Sequence, residues 1–331
     1  MRTIALEEHY ATPAFMDGPG RQIREEAEAA RAHPQVAAGL ARLIAQLCDI
    51  GEGRITNMDA AGLDVQVLSL TFPGVEQLDP VEAVALARDT NDTLAEAVRR
   101  HPDRLAGFAA IPTPDPEAAA AELKRAVAEH GFKGALINGH SRGRYLDDEF
   151  FWPILACAEA LGVPLYLHPT PPPQPVIAGV YAGNYPPEVA GVLATAAWGW
   201  HIDTAIHVLR LILSGALDRY PGLQLVIGHL GETLPFMLPR LERALPTELT
   251  KLDRPVSAYL RENVHYTFSG FNWTPAFLDL LLQIGADRIM FSTDYPYGSM
   301  TQAHAFLDQL PVSPADKERI AHGNAEGLLR L

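Results

Sequence analysis

Eight short apolar segments, separated by stretches with helical spacing, constrain the fold of this chain more than any other feature. They are rich in β-branched and aromatic residues and predict strands buried on both faces. The predicted strands cover residues 3–9, 65–70, 105–111, 134–138, 164–168, 223–229, 264–269 and 289–294. Five of the intervening helices are predicted over residues 80–100, 116–130, 150–161, 201–217 and 274–284. Strand and helix therefore alternate along the whole chain.

Eight strand–helix units predict an α/β fold, a (β/α)8 TIM barrel. The main alternative is an open doubly wound sheet, but no GxGxxG follows the first strand and no shift in composition divides the chain. Turn residues stand where the barrel needs them, at Gly62, Gly131, Gly162, Pro221-Gly222 and Gly285. A barrel of this kind commonly exceeds 250 residues, so we expect one domain over residues 1–331.

Two long insertions follow the first and fifth strands, at residues 11–54 and 170–200. Both leave the carboxyl ends of their strands, which is the face where barrel enzymes place their active sites. The second insertion contains TPPPQP and the aromatic residues Tyr181, Tyr185, Trp198 and Trp200. It is typical of a lid or a pocket wall.

Charge and composition exclude several classes of partner. The chain has 26 Lys and Arg against 40 Asp and Glu, a net charge of −14, which repels nucleic acid and anionic membranes. Its 2 cysteines, Cys48 and Cys157, are too few for a disulfide framework or a structural zinc site. The N-terminus lacks a signal-peptide pattern, and no apolar run could span a membrane. We therefore expect a cytoplasmic protein whose ligand is a small molecule.

Acidic and imidazole side chains occupy the carboxyl ends of several predicted strands, which converge in a barrel. Glu7 and His9 share one side of the first strand, because side chains alternate, while Glu8 points away. His168 ends the fifth strand and Asp294 the eighth. Two carboxylates and two imidazoles around one point can hold a single divalent cation.

His229 ends the sixth strand within GHLGE, three residues before Glu232. If a helix begins after this strand, Glu232 can reach back to orient the imidazole, which makes His229 a candidate acid, base or charge stabiliser. His229 could instead be a fifth metal ligand. The other histidines are assigned no role: His201 and His207, six residues apart, do not share a helix face.

Several segments together resemble a known family. They read IALEEHYATP, NMDAAGLDVQVLSL, RHPDRLAGFAAIP, GFKGALING, GVPLYLHP, RYPGLQLVIGHLGETLPF and GADRIMFSTDYPY. In order and spacing they resemble the metal-dependent nonoxidative decarboxylases of the amidohydrolase superfamily, the branch that acts on dihydroxybenzoates. The resemblance covers almost the whole chain.

The resemblance implies that Glu7, His9, His168 and Asp294 bind one divalent metal, Mn, Zn or Mg, with His229 and Glu232 as a catalytic pair. Many hydrolases of the superfamily open with HxH, and the binuclear ones add a carboxylated Lys. Here the first strand reads Glu-Glu-His and the fourth ends at Asn138 without Lys, which favours a mononuclear site. The family likeness also implies a homodimer or homotetramer.

Three functions remain open from the sequence. The first is decarboxylation of a hydroxylated aromatic acid, with the proton delivered by Asp294 in the manner of the family or by His229. The second is metal-dependent hydrolysis of a lactone or amide, which the same ligands would serve. The third is a noncatalytic binding barrel without metal.

An acidic substrate of so acidic a protein needs a local cation. Two carboxylate ligands formally cancel the charge of a divalent metal, so a further cation is expected. Arg240, close in sequence to His229, is the candidate, either from its own subunit or from a neighbour. Asn138 and Tyr297 are the other residues predicted to contact substrate.

Overall fold

The computed structural model describes residues 1–29 and 33–331. Its strands run in chain order with helices between them, as the alternating pattern predicts. They are β1 Ile4–Tyr10, β2 Val65–Leu70, β3 Leu105–Gly107, β4 Ala109–Ala110, β5 Ala135–Asn138, β6 Leu165–His168, β7 Leu225–Ile227, β8 Val264–Thr267 and β9 Ile289–Met290. Every paired strand is parallel to its neighbour.

The strands close into a TIM barrel. The third predicted strand is divided at Phe108, so that β3 pairs with β2 and β4 pairs with β5. Phe108 itself donates its backbone N–H to Leu68, which keeps the two halves in one wall. At the other seam, Leu6 N donates to Phe291 O at 3.2 Å and joins the first strand to the last. The (β/α)8 prediction is confirmed.

Alternation along the strands divides the core into two parts. Inward-facing residues fill the barrel as one buried cluster: Ile4, Leu6, Val65, Val67, Ala106, Phe108, Leu136, Tyr166, Val226 and Met290. Ala325 and Leu329 from the last helix join this cluster and close the amino-terminal end of the barrel. Outward-facing residues pack against the surrounding helices in a second, larger cluster. The carboxyl ends of the strands are thereby left as the open, polar mouth.

Helices alternate with the strands along most of the chain, as predicted. They are α1 Pro13–Asp17, α2 Arg21–Ala29, α3 Pro34–Cys48, α4 Glu52–Ala61, α5 Pro80–Arg100, α6 Pro116–His130, α7 Trp152–Leu161, α8 Gln174–Val176, α9 Pro187–Ala194, α10 Gly199–Leu213, α11 Ala216–Arg219, α12 Leu234–Ala244, α13 Thr247–Thr250, α14 Val256–Glu262, α15 Thr274–Ile284, α16 Met300–Asp308, α17 Pro314–Glu318 and α18 Asn324–Leu329. In the described part of the chain, no helix is long and apolar enough to cross a membrane.

The described parts of both insertions are largely helical. The first contains α1 to α3 and reaches the start of α4, and the second contains α8, a π-helical turn at Ile177–Tyr181 and α9. The helix predicted over 201–217 instead begins at Gly199 and is divided at Ser214 and Gly215, where Gly215 adopts φ +77°. His201 lies in the first turn of α10.

Candidate active site

The four residues predicted as metal ligands meet at the carboxyl ends of the strands. Glu7 and His9 come from β1, His168 ends β6, and Asp294 follows β9. Glu7 Oε1 lies 3.4 Å from His168 Nε2, and His9 Nε2 lies 3.2 Å from Asp294 Oδ1. Glu8, by contrast, points out of the barrel, where Thr293 donates to its carboxylate.

The hydrogen bonds around Glu7 leave one of its oxygens free. Oε2 accepts hydrogen bonds from Tyr166 and Ser269, which fixes the carboxylate. Among the described residues, Glu7 Oε1 and His9 Nε2 have no hydrogen-bond partner although both atoms are buried. Buried polar atoms are normally satisfied, and the ligand atoms of Glu7, His9 and His168 lie within 4.8 Å of one another. This donor set fits a divalent cation.

Burial also shifts the pKa of two members of the cluster, His168 and Glu7. Desolvation, reinforced by the neighbouring His9 and His229, lowers the pKa of His168 well below its usual value. The neutral imidazole is the form that binds metals. Desolvation raises the pKa of Glu7, and a cation bound at Oε1 would oppose this shift by favouring the carboxylate.

Strained backbone conformations aim these side chains at one point. Glu7 has φ +67° and Asp294 φ +59°, both in the left-handed region that non-glycine residues avoid. The register of β1 shifts between Leu6 and Glu8, so Glu7 sits at an irregularity in the strand. Such conformations cost of order 1–3 kcal/mol each and are concentrated at functional sites.

A left-handed turn positions the predicted catalytic pair. All five residues from His229 to Thr233 have positive φ, between +50° and +92°. The turn brings Glu232 Oε1 to 2.7 Å from His229 Nδ1. The sequence predicted this pairing from the first turn of a right-handed helix, but α12 begins only at Leu234. Gly228 is required before the turn, because a Cβ there would collide with Glu7 Oε2.

The pair places a positive charge beside the ligand cluster. Burial disfavours the charged form of His229, but the carboxylates of Glu232 and Glu7 outweigh it and raise the pKa of His229 to about 10. Desolvation likewise opposes ionisation of Glu232, yet His229 and His201 lower its pKa. His229 Nε2 lies 3.9 Å from Glu7 Oε1 and therefore faces the cluster.

A cavity of about 340 Å³ opens above these residues. His168, His229 and Asp294 line its polar floor, and Phe72, Trp200, Phe271 and Tyr297 line its walls. A neighbouring cavity of about 400 Å³ shares His201, His229 and Phe271 with the first. The site thus combines a floor of side chains that could hold a cation with aromatic walls that suit a flat molecule.

The chain matches the amidohydrolase family over residues 22–331. The chain belongs to the amidohydrolase family. It is 38% identical over 340 residues to the γ-resorcylate decarboxylase of Polaromonas sp., an alignment that covers 99% of this chain and 98% of the relative. The relatives that it matches include decarboxylases of hydroxylated benzoates.

Two solved structures of such decarboxylases share the whole architecture. A dihydroxybenzoic acid decarboxylase from Polaromonas sp., with manganese and 2-nitroresorcinol bound, superposes with a TM-score of 0.88 at 38% identity, covering 100% of this chain and 97% of that one. The 5-carboxyvanillate decarboxylase of Novosphingobium aromaticivorans, with manganese and 4-hydroxy-3-methoxy-5-nitrobenzoic acid bound, gives 0.89 at 36% identity, covering 100% and 96%.

The residues predicted to contact substrate lie in different places. Tyr297 lines the cavity, its hydroxyl 2.7 Å from Thr71 Oγ1. Asn138 is buried at the end of β5, where its backbone N–H donates to Glu76 at 2.8 Å, and it does not line either of the two cavities described above. Arg240 is exposed on α12, outside the lining of both cavities. Substrate contact by all three residues stays a prediction.

Sequence reasoning missed His201. Its Nδ1 lies 2.6 Å from Glu232 Oε2, so Glu232 bridges two imidazoles. His201 and Glu232 are 31 residues apart and belong to different barrel units, so no local spacing reveals the contact. His201 could have been suspected from its place in the sequence, because it directly follows the aromatic insertion that is predicted to form a wall of the pocket.

Proposed function

We propose that this chain removes CO2 from a hydroxylated aromatic carboxylic acid, using one divalent metal ion and no organic cofactor. The observation that carries the proposal is the placement of Asp294, which belongs to both the ligand cluster and the cavity. Its Oδ1 faces His9, while its Oδ2 lies toward Gly270, a residue of the cavity wall. The relatives that bind manganese and hydroxylated nitroaromatic compounds support the same conclusion.

Glu7, His9, His168 and Asp294 would hold the cation, and manganese is the first choice because both solved relatives contain it. When bound, a divalent cation supplies Lewis acidity toward the substrate carboxylate and an ortho hydroxyl oxygen. A substrate whose carboxylate and hydroxyl groups are on adjacent ring carbons matches the proposal best. We therefore favour a 2-hydroxybenzoate.

The residues of the chain supply the remaining chemistry. A proton must reach the ring carbon that carries the carboxylate, after which the bond to the carboxylate breaks, its electron pair restores the aromatic ring and CO2 leaves. Asp294 is the proposed proton carrier, since it lines the cavity. His229, whose raised pKa favours the imidazolium, is the alternative donor and would otherwise stabilise the developing charge.

The imidazolium of His229 also addresses the problem of a substrate anion approaching a protein of net charge −14. It lies in the floor of the cavity, whereas Arg240 is exposed and lines neither of the two cavities within one chain. Phe72, Trp200 and Phe271 then exclude water around the ring, which strengthens these electrostatic interactions.

The proposal is tested by supplying a panel of hydroxybenzoates to the protein with Mn, Zn or Mg added separately. Release of CO2 in equal amount to the decarboxylated phenol supports it. Cleavage of a lactone or amide, without CO2 release from any acid, would instead support metal-dependent hydrolysis.

We further propose that the chain folds as one domain over residues 1–331 and assembles as a homodimer or homotetramer. Three exposed large apolar side chains line the cavities, Trp198, Phe236 and Phe271, and further ones lie close to them in sequence, Val189, Val192, Met237 and Trp273. Apolar surface of this kind is characteristic of interaction sites. Arg240 lies on the same helix as Phe236 and Met237, so a second copy covering this face would bring Arg240 close to the assembly interface. Light scattering measures the oligomeric state directly, and a monomer in solution would contradict the proposed assembly.

The free thiols of Cys48 and Cys157 support the further proposal that the protein works in the reducing cytoplasm.

A further inference from the structure

His201 extends the catalytic pair into a chain of three hydrogen-bonded side chains. It projects from the first turn of α10, a segment separate from the turn that carries His229 and Glu232. His201 Nδ1 contacts Glu232 Oε2 at 2.6 Å, and His229 Nδ1 contacts Glu232 Oε1 at 2.7 Å. The two imidazole rings meet edge to face with centroids 4.6 Å apart. Each carboxylate oxygen therefore has its own imidazole partner.

The neighbours of His201 determine which of its nitrogens donates. Trp200 Nε1–H, which can only donate, points at His201 Nε2 from 3.1 Å. Nε2 is therefore the acceptor in the neutral ring, and Nδ1 carries the hydrogen that is donated to Glu232. Ala196 O also lies 3.1 Å from Nε2 and can accept a hydrogen bond if this nitrogen is protonated. The Nδ1 donation to Glu232 is made in both states.

We propose that His201 is a positioning residue of the active site, which holds Glu232 so that Glu232 in turn aims His229 Nε2 at the ligand cluster and the cavity. The physical reason is that the terminal torsion of a glutamate side chain is broad and does not fix the plane of the carboxylate. One hydrogen bond from His229 leaves that rotation free. A second hydrogen bond on the opposite oxygen removes it.

This inference rests on the proposed function, because it assumes that the orientation of His229 matters for turnover. It adds that the segment after β6 contributes the hydrogen bond from His201 to Glu232, in addition to forming a wall of the cavity. The hydrogen bond and the shape of the ring can be separated by two substitutions at the same position.

His201→Asn keeps an N–H donor near the position of Nδ1, and His201→Phe keeps a flat ring without any donor. We expect His201→Phe to lower kcat by about 10- to 100-fold, the usual scale for a residue that orients a ligand or catalytic group, with little change in KM. His201→Asn should restore most of kcat. Metal content, measured in the same samples, should match that of the unmodified protein.

The reverse order, with normal turnover for His201→Phe and impaired turnover for His201→Asn, would show that only packing matters and overturn the inference. A double-mutant cycle gives a second test. In a Glu232→Gln background His201→Phe should cost little more, and a full additional loss there would also overturn it.

A spectroscopic measurement separates this inference from the decarboxylation proposal. In ¹⁵N-labelled protein, His201 and His229 should each give a solvent-protected Nδ1–H resonance. His201→Phe should remove one of them and shift or broaden the other, whether or not any acid is decarboxylated. An unchanged His229 resonance would refute the positioning role, whereas absence of CO2 release by the unmodified protein would refute only the proposed function.

Discussion

Replacement of Arg54 by Met should destabilise the fold strongly, because this guanidinium is fully buried beneath the site. Arg54 donates to the backbone oxygens of His9 at 2.6 Å, Asp49 at 2.8 Å and Gln46 at 3.2 Å, and to Gln66 Oε1 at 3.2 Å. It therefore ties the end of the first insertion to the strand that carries Glu7 and His9, two of the proposed metal ligands.

The size of the effect follows from these contacts. Four hydrogen bonds from a charged donor would sum to about 6–12 kcal/mol at about 1.5–3 kcal/mol each. The net loss of unfolding free energy is smaller than this sum, because the variant no longer desolvates a charge and some of the carbonyls can reach water. Breaking one side of a buried charged network typically costs about 3–5 kcal/mol, which we take as the expected loss of unfolding free energy.

Denaturant titration of Arg54→Met measures this loss, and Arg2→Met is the matched control. Arg2 is exposed and forms one ion pair, with Glu326 at 2.7 Å, so its replacement should cost less than about 1 kcal/mol. Equal unfolding free energies for the two variants would refute the structural role of Arg54.

Three further predictions concern single side chains. His168→Ala should lower metal occupancy while leaving the barrel folded, and full occupancy by elemental analysis would remove His168 from the ligand set. His229→Asn should keep the metal but lose at least about a hundredfold in kcat, whereas Glu232→Gln should be milder; near-normal turnover of His229→Asn would make His229 structural. Burial lowers the pKa of His207 from 6.5 to about 3. As the pH falls below about 6.5, the unfolded chain therefore binds a proton at this residue that the folded chain does not, and acid favours unfolding. The unfolding free energy should therefore fall as the pH drops. His207→Gln can still accept the hydrogen bond from Leu146 N and should reduce the dependence of the unfolding free energy on pH by up to about 1.4 kcal/mol per pH unit. An unaltered pH dependence would contradict the assignment.

The sequence was sufficient wherever structure depends on local signals. The helices predicted at 80–100, 116–130 and 274–284 coincide with α5, α6 and α15. Each begins with a proline in its first turn, and α6 ends at Gly131 in the left-handed conformation. Strand alternation likewise placed Glu7 and His9 on the side opposite to Glu8, and the geometry of a barrel brought His168 and Asp294 to meet them.

The sequence was insufficient where tertiary contacts override local preference. Nothing in GHLGE except its glycines indicates a left-handed turn, because non-glycine residues adopt that conformation only when the surrounding structure imposes it. The hydrogen bond between Leu230 N and Thr267 O ties this turn to the neighbouring strand. His201 was missed for a related reason, since its partner becomes adjacent only after the barrel closes.

Deuterium incorporation is the most direct measurement of the central claim, that the cluster at the barrel mouth supports protonation of a ring carbon with loss of CO2. A 2-hydroxybenzoate is incubated with manganese-loaded protein in D2O, and the product is analysed by NMR and mass spectrometry. The account predicts one deuterium, placed on the carbon that lost the carboxylate, and one CO2 per product molecule. A product that has gained oxygen from water, or an acid that remains intact while a lactone or amide is cleaved, would contradict it.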